Sequence, residues 1–586
     1  LLLADLLTNQ PMQISSQLIL YRGGLLRITN STLRLPSGVA QLNNYGGNIS
    51  LENGLLDFDL ANLMRLGRYS TNQASLTVKG GTMFGSQLQI GQDKALGTLT
   101  LSNGVINLSS FLSLGTSSTG NPIAGGTGVV TVVNGQLLVT NGVTEVGYQG
   151  IGQMNVSGGT TKLANLSVGN VQGAAGTVSI SGGQFYVLPR TTNDPTRLGN
   201  SGSGTLNITG GSVALMNELI LGDYPGGPLA RGTGMVMIAG GSLVATNDLT
   251  SIGKFGVGFM TISNSTVTLA NVSVGRHDGS TGTLNLQTSG VLNCLDALSI
   301  GRLELSTGHL FVTGGLLSLT NNTLWVGRGG NGDMTLSGGT ARASSLFVAV
   351  SMFETNNLGA TVTNQPAGTF TMTGGALELT SRFLIGTESY STGHVAISGG
   401  NLSVTNGGGG NLSVGQGTLQ LNGGTLVTDS VTLTNSTGQF VFGKGTLQTK
   451  SMTVSNGAPF IVGDGVNVAT LQLDGGTYSF ANGLVISSNS TVTGCGTIVG
   501  NVTNNGTFST NCGPVINITG INYAGMTATV SFSSLSGLNH LLQFKTDLAV
   551  PTWKTISPGV IGDGGIRFLS DTTATNASRL YRILAQ

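Results

Sequence analysis

Hydrophobic and polar residues alternate along most of this chain in short runs, each broken by Gly, Asn or Ser. The stretch 97–115, GTLTLSNGVINLSSFLSLG, shows the unit. Leu99 and Leu101 share one parity before Ser102-Asn103-Gly104. Ile106 and Leu108 follow before Ser109-Ser110, and Leu112 and Leu114 complete the unit before Gly115. Period-two alternation bounded by turn residues predicts half-buried strands. The unit therefore predicts three strands separated by tight corners.

The unit recurs. Residues 152–169 carry Met154, Val156, Leu163, Leu166 and Val168 on the inward parity. Residues 204–222 carry Leu206, Ile208, Val213, Leu215, Leu219 and Leu221, and 417–434 carry Leu419, Leu421, Leu426, Val431 and Leu433. Equivalent starts fall at Gly24, Gly47, Ala74, Gly97, Gly128, Gly152, Gly176, Gly204, Gly234, Gly258, Gly282, Gly308, Gly332, Gly368, Gly393, Gly417, Gly438 and Ala469. The commonest spacing is 24 residues, and loops such as 116–127 and 351–367 lengthen it. One unit cannot bury its apolar side chains alone. Stacked units pair strand on strand in parallel and bury them in a continuous ladder. A propeller blade takes about 40 residues and four strands. The pattern instead predicts an all-β chain: a three-sided parallel solenoid of about eighteen coils. At ~4.8 Å per coil the stack would be about 85 Å long. Asn165, Asn217, Asn247 and Asn271 recur near the third strand and are expected to stabilise that corner. A hydrogen-bonded ladder of stacked Asn side chains is the alternative.

Composition narrows the class. Gly supplies 96 of 586 residues and Pro only 12, without a Gly-X-Y period, so collagen is excluded. Apolar residues make up 39%, too many for a disordered chain. Charged residues are 8% and the net charge is +1, which gives no general attraction to nucleic acid or to an anionic membrane. No apolar run is long enough to predict a transmembrane helix. The start, Leu1-Leu2-Leu3-Ala4-Asp5, lacks an initiator Met and the basic and long apolar regions of a signal peptide, and reads as a processed or truncated terminus. Cys495 and Cys512 lie 17 residues apart, roughly one short coil. They either form a disulfide between stacked neighbours or remain thiols. Cys294 reads as a small buried apolar residue.

Units such as GTLNITGG…LILG and GTFTMTGG…FLIG resemble the autotransporter-associated β-strand repeats of bacterial surface proteins. The stretch 493–514, TGCGTIVGNVTNNGTFSTNCGP, is similar to the segment in which such arrays end. The resemblance covers residues 20 to about 515. It implies a right-handed parallel β-helix, secretion and a bacterial source. From residue 515 the 24-residue period stops and charge rises. The runs 528–532, 540–544 and 579–584 read as separate strands, with Trp553 placed to anchor a small sandwich core. LLQFKTDLAVPTWKTI…SRLYRIL resembles the β-sandwich tails of secreted proteins from the Verrucomicrobia and Planctomycetes. The expected organisation is thus a cap or assembly segment at 1–23, a solenoid at 24–514 and a β-sandwich at 515–586.

Candidate chemistry is sparse. Polysaccharide cleavage needs two or three acids converging on one face. The 23 acids here are scattered, and the best pairs, Glu218 with Asp248 and Asp57 with Asp59, lack a third partner. The four histidines, His277, His309, His394 and His540, show no metal spacing, and no G-G-x-G-x-D calcium repeat is present. The sequence predicts neither an enzyme nor a cofactor. Arg276, Arg302 and Arg328 each follow the closing Gly of consecutive units, which predicts a basic row on one corner. It would contact an acidic glycan, or be a surface feature partly neutralised by Asp278, Glu304 and Asp333. The predicted function is a secreted structural protein, a cell-surface rod or a filament subunit that self-associates head to tail through unpaired terminal strands. An adhesin or glycan-binding surface protein is the alternative, and a polysaccharide-active enzyme is the third reading.

Overall fold

The computed structural model describes residues 12–13, 18–35, 41–69, 72–121, 124–189, 194–223, 231–319, 321–350, 365–510, 516–547, 552–575 and 578–586. They form strands and turns, with no α-helix among them. The chain divides into two compact units: residues 1–492 with 497–508, and residues 493–496 with 509–586.

The first unit is a parallel β-solenoid of about 18 turns with roughly 24 residues per coil. A representative coil holds a first strand Leu96–Leu101, a second Val105–Leu108 and a third Leu112–Thr116. Gly97 pairs with Ala74 in the coil before and Gly128 in the coil after. From Gly128 the same register position is occupied by Gly152, Gly176, Gly204, Gly234, Gly258, Gly282, Gly308, Gly332, Gly368, Gly393 and Gly417, without a slip. A one-residue slip would turn every inward side chain outward, so extra residues are accommodated only at corners. The loop at 116–127 obeys this, since Leu96–Leu101 pairs in register with Thr127–Val132 across it. Of the loop at 351–367, residues 351–364 lie outside the described ones, yet Asn331 pairs with Ala367 across it.

The inward residues named above are each at most 2% exposed. They belong to one apolar cluster that runs from Leu20 to Val492. The first and second strands alternate buried and partly exposed residues, as a sheet with one face in a core should. The third strands differ: in Leu166–Val168, Leu219–Leu221 and Leu298–Ile300 the outward middle residue is buried too. Corner side chains fold back over this face.

The register departs from the sequence reading near the end of the array. Thr418 pairs with Gln439, which makes Gly417 and Gly438 equivalent. Ala469, however, pairs with Gly445 and opens a second strand, not a new coil. The first strand of that coil is Phe460–Val462, whose Val462 pairs with Phe442. Thr-Leu-Gln occurs in both strand types, at 418–420, 446–448 and 470–472, so the local pattern does not separate them. At the other end, Leu18–Leu20 pairs with Leu42–Asn44, so strand pairing begins upstream of Gly24.

The second unit contains two three-stranded antiparallel sheets. One is Ile518–Ala524, Thr527–Ser533 and Ile566–Asp571; the other is Lys554–Ile561, Asn539–Lys545 and Leu580–Ala585. Val530, Phe532, Leu542 and Leu569 form their shared core. Trp553 does not anchor it. That ring is half-buried under the Arg582 guanidinium and the Lys545 ammonium, 4.5 and 4.9 Å from its centroid. Phe532, on the inward parity of a central strand, takes the place expected of the tryptophan.

Candidate functional surfaces

The corner after the third strand gathers most of the polar chemistry of the array. Register makes Gly253, Gly275, Gly301 and Gly327 successive closing positions, because Ile252, Val274, Ile300 and Val326 stack in turn. Arg276, Arg302 and Arg328 therefore stand on one corner of three consecutive coils. Lys254 extends the row by one coil. The Gly-cation pattern that revealed the arginines is present at Gly253-Lys254 as well.

This row is built into the fold. The Arg276 guanidinium donates to Glu218 Oε1 at 2.8 Å and to Ser251 Oγ at 3.2 Å. Lys254 Nζ stands 3.3 Å from the same Glu218 oxygen. Arg328 donates to Ser299 Oγ at 3.2 Å and lies over the Trp325 ring, 5.2 Å from its centroid. Ser251, Ser299 and Trp325 are the outward middle residues of third strands, which explains their burial. The counter-charge for Arg276 is thus Glu218, from two coils earlier, and not Asp278 beside it in sequence. Asp333 is engaged by His309, whose Nδ1 lies 3.2 Å from its carboxylate. His277 stacks on Phe255 with ring centroids 4.3 Å apart and planes 10° apart. Burial, then the charges of Arg276, Lys254 and Arg302, push its imidazole down to about 3.

Of the candidate acids, Glu218 and Asp57 are tied down in the same way, whereas Asp248 is exposed and accepts from the adjacent Leu249 N–H at 2.7 Å. Glu218 serves as the anchor for Lys254 and Arg276. Asp57 accepts from Arg34 Nε at 3.0 Å, while the side chain of Asp59 lies outside the described set. Glu145, which sequence reasoning missed, is a half-buried carboxylate that accepts from Ser113 Oγ at 2.6 Å and Asn170 Nδ2 at 3.2 Å. Burial raises its carboxyl above the ordinary range against the pull of these two donors. It sits at the outward middle position of a third strand, where a charged residue breaks the Ser-rich pattern; that was the available signal. Asn217 accepts from Thr196 Oγ1 at 2.8 Å and donates to the Asp194 carbonyl at 2.6 Å, so it braces the corner instead of joining an Asn ladder. Among the described residues no cluster of three or more His, Cys, Asp or Glu is arranged to hold a metal ion.

Cys495 is disulfide-bonded, while Cys512 lies outside the described residues. Cys294 is a free, buried thiol, and burial pushes it up to about 12.

Near both ends of the described ladder some strands pair on one side only among the described residues. Val502–Asn504 pairs with Leu484–Ile486 on one side, and Thr507–Thr510 pairs with Ser490–Val499. Neither has a second strand partner among the described residues. Val499, Val502 and Phe508, in this last coil, are exposed apolar side chains. At the start, Leu25–Thr29 pairs with Asn48–Glu52 alone among the described strands.

Comparison with protein-family models, curated proteins and solved structures finds no match to this chain.

Proposed function

We propose that this is a secreted structural protein of the bacterial cell surface, acting as a rod or as a filament subunit that assembles end to end. The observation that supports this reading is the stack of parallel coils, in which Leu25–Thr29 near one end and Val502–Asn504 near the other each pair with a single strand among the described residues. An unpaired parallel edge is a template for the matching edge of another copy. A head-to-tail contact of that kind does not close on itself and so propagates into a fibre. The engagement of Glu218 and Arg276 by other side chains favours a framework role for them over catalysis. The sequence resemblance to surface-protein repeats supports the extracellular location.

Electron microscopy and sedimentation of the purified chain over a range of concentrations test the proposal. Linear assemblies are expected, and the double variant Val502→Lys, Phe508→Lys should remain dispersed with an unchanged circular dichroism spectrum. Only monomers at every concentration, or fibres unaffected by the charges, would overturn it.

A further inference from the structure

The second-strand face carries a groove that the structural reading leaves without a role. It has a volume of about 360 Å³ and is lined by Gln136, Thr160, Lys162, Gln184, Tyr186 and Met216, among others. The size is within the range of small-ligand sites. Four consecutive coils contribute to it, the last through Met216. Gln136, Thr160 and Gln184 stack at one outward position. Lys162 and Tyr186 are neighbours at the next outward position, followed by Ala214 in the coil after.

These residues are arranged for recognition more than for stability. Lys162 Nζ lies 5.8 Å from the Tyr186 ring centroid. No carboxylate pairs with that ammonium among the described residues. On the other side of Tyr186, Ala214 is too small to cover the ring. The Tyr186 hydroxyl donates to Gln184 Oε1 at 3.1 Å, and the Gln184 amide N–H donors make no hydrogen bond to the protein among the described residues. The Gln136 amide and the Thr160 hydroxyl make no hydrogen bond to the protein among the described residues. The groove therefore offers an aromatic face, amide and hydroxyl groups in rungs ~4.8 Å apart, and one cation.

We propose that this groove binds an acidic oligosaccharide, with a sugar ring against Tyr186, a uronate carboxylate on Lys162, and sugar hydroxyls on Gln136, Thr160 and Gln184. An aromatic face takes the apolar side of a pyranose, while amides exchange hydrogen bonds with its hydroxyls. The lone ammonium selects for charge. The proposal does not depend on filament assembly.

Isothermal titration with tetragalacturonate, an uncharged galactose tetramer and tetraglutamate tests it. The wild-type chain should bind the first with millimolar or tighter affinity and at least about fivefold better than the second. Tyr186→Ala should weaken binding about tenfold, the size expected for loss of one stacking contact. Lys162→Gln should remove the preference for the acidic over the neutral tetramer. These side chains lie on the outer face, so both variants should retain the wild-type circular dichroism spectrum and hydrogen-exchange protection of the surrounding coils. Absence of tetragalacturonate binding, equal binding of tetraglutamate, or affinity unchanged in both variants would overturn the assignment.

Discussion

Replacing Gly275 by alanine tests what holds consecutive coils in register. Gly275 closes a third strand with φ +68°, in the left-handed region. A Cβ there would stand 2.2 Å from the Thr307 carbonyl oxygen, 2.5 Å from its carbon and 3.0 Å from the Gly308 nitrogen, all backbone of the first strand two coils on. Two costs combine. Left-handed backbone costs an L-residue about 1–2 kcal/mol. Relieving the overlap requires the Thr307–Gly308 backbone to move by ~1 Å, which breaks hydrogen bonds that have little length to spare. Gly275 N–H donates to Ile252 O at 2.8 Å, Gly301 N–H to Val274 O at 2.8 Å and Thr307 N–H to Ser280 O at 2.9 Å. Loss of two such bonds at about 1 kcal/mol each brings the total to about 3–4 kcal/mol. Gly457 is the control: its φ is +93°, but nothing lies within 4 Å of the Cβ position. Gly457→Ala should cost only the backbone term, about 1–2 kcal/mol. A long repeat array does not unfold in two states, so hydrogen exchange measured peptide by peptide is the appropriate assay. Gly275→Ala should lower protection of the coils around 252–312 by about two to three orders of magnitude. Gly457→Ala should lower it locally by about one. Equal losses at the two sites would refute the claim that these corners are glycine because the neighbouring backbone leaves no room.

Two further predictions concern pH. Asp429 is buried, accepts from the backbone N–H groups of Asn406, Gly408 and Gly410 at 2.9, 3.0 and 2.9 Å, and meets Lys450 Nζ at 2.7 Å. Burial pushes its carboxyl up, but Lys450 and the three N–H groups outweigh this and hold it at about 2. Its contribution is therefore complete above about pH 4 and is lost as pH falls toward 2. Asp429→Asn should speed exchange of the 405–412 backbone at least tenfold at pH 7 and flatten that acid dependence. His277 has the opposite charge type but the same pH direction. With its folded value near 3, the unfolded state binds more protons between about 6.5 and 3, so stability there falls on acidification. His277→Phe keeps a ring against Phe255 and should remove much of the protection lost around 254–281 between pH 7 and pH 4. An unchanged pH profile in the variant would show that the imidazole is not the titrating group.

Much of the solenoid was legible in the chain, for a local reason. Burial alternates residue by residue within a strand, and every coil repeats the same demand. Leu99, Leu101, Ile106, Leu108, Leu112 and Leu114 could therefore be assigned to the core, and the Gly starts from Gly24 to Gly438 aligned, without knowing any distant contact. Only the tertiary structure decided matters that depend on which coils become neighbours. Ala469 reads like a first strand and stacks as a second. Trp553 has the size of a core residue, but Phe532 has the central strand position. Glu218 meets Arg276 across 58 residues because corner side chains reach back over earlier coils. The groove at Tyr186 likewise exists only once residues from four coils stand side by side. Period and parity are written within a single strand, whereas partners across coils are set by the accumulated lengths of the loops between them.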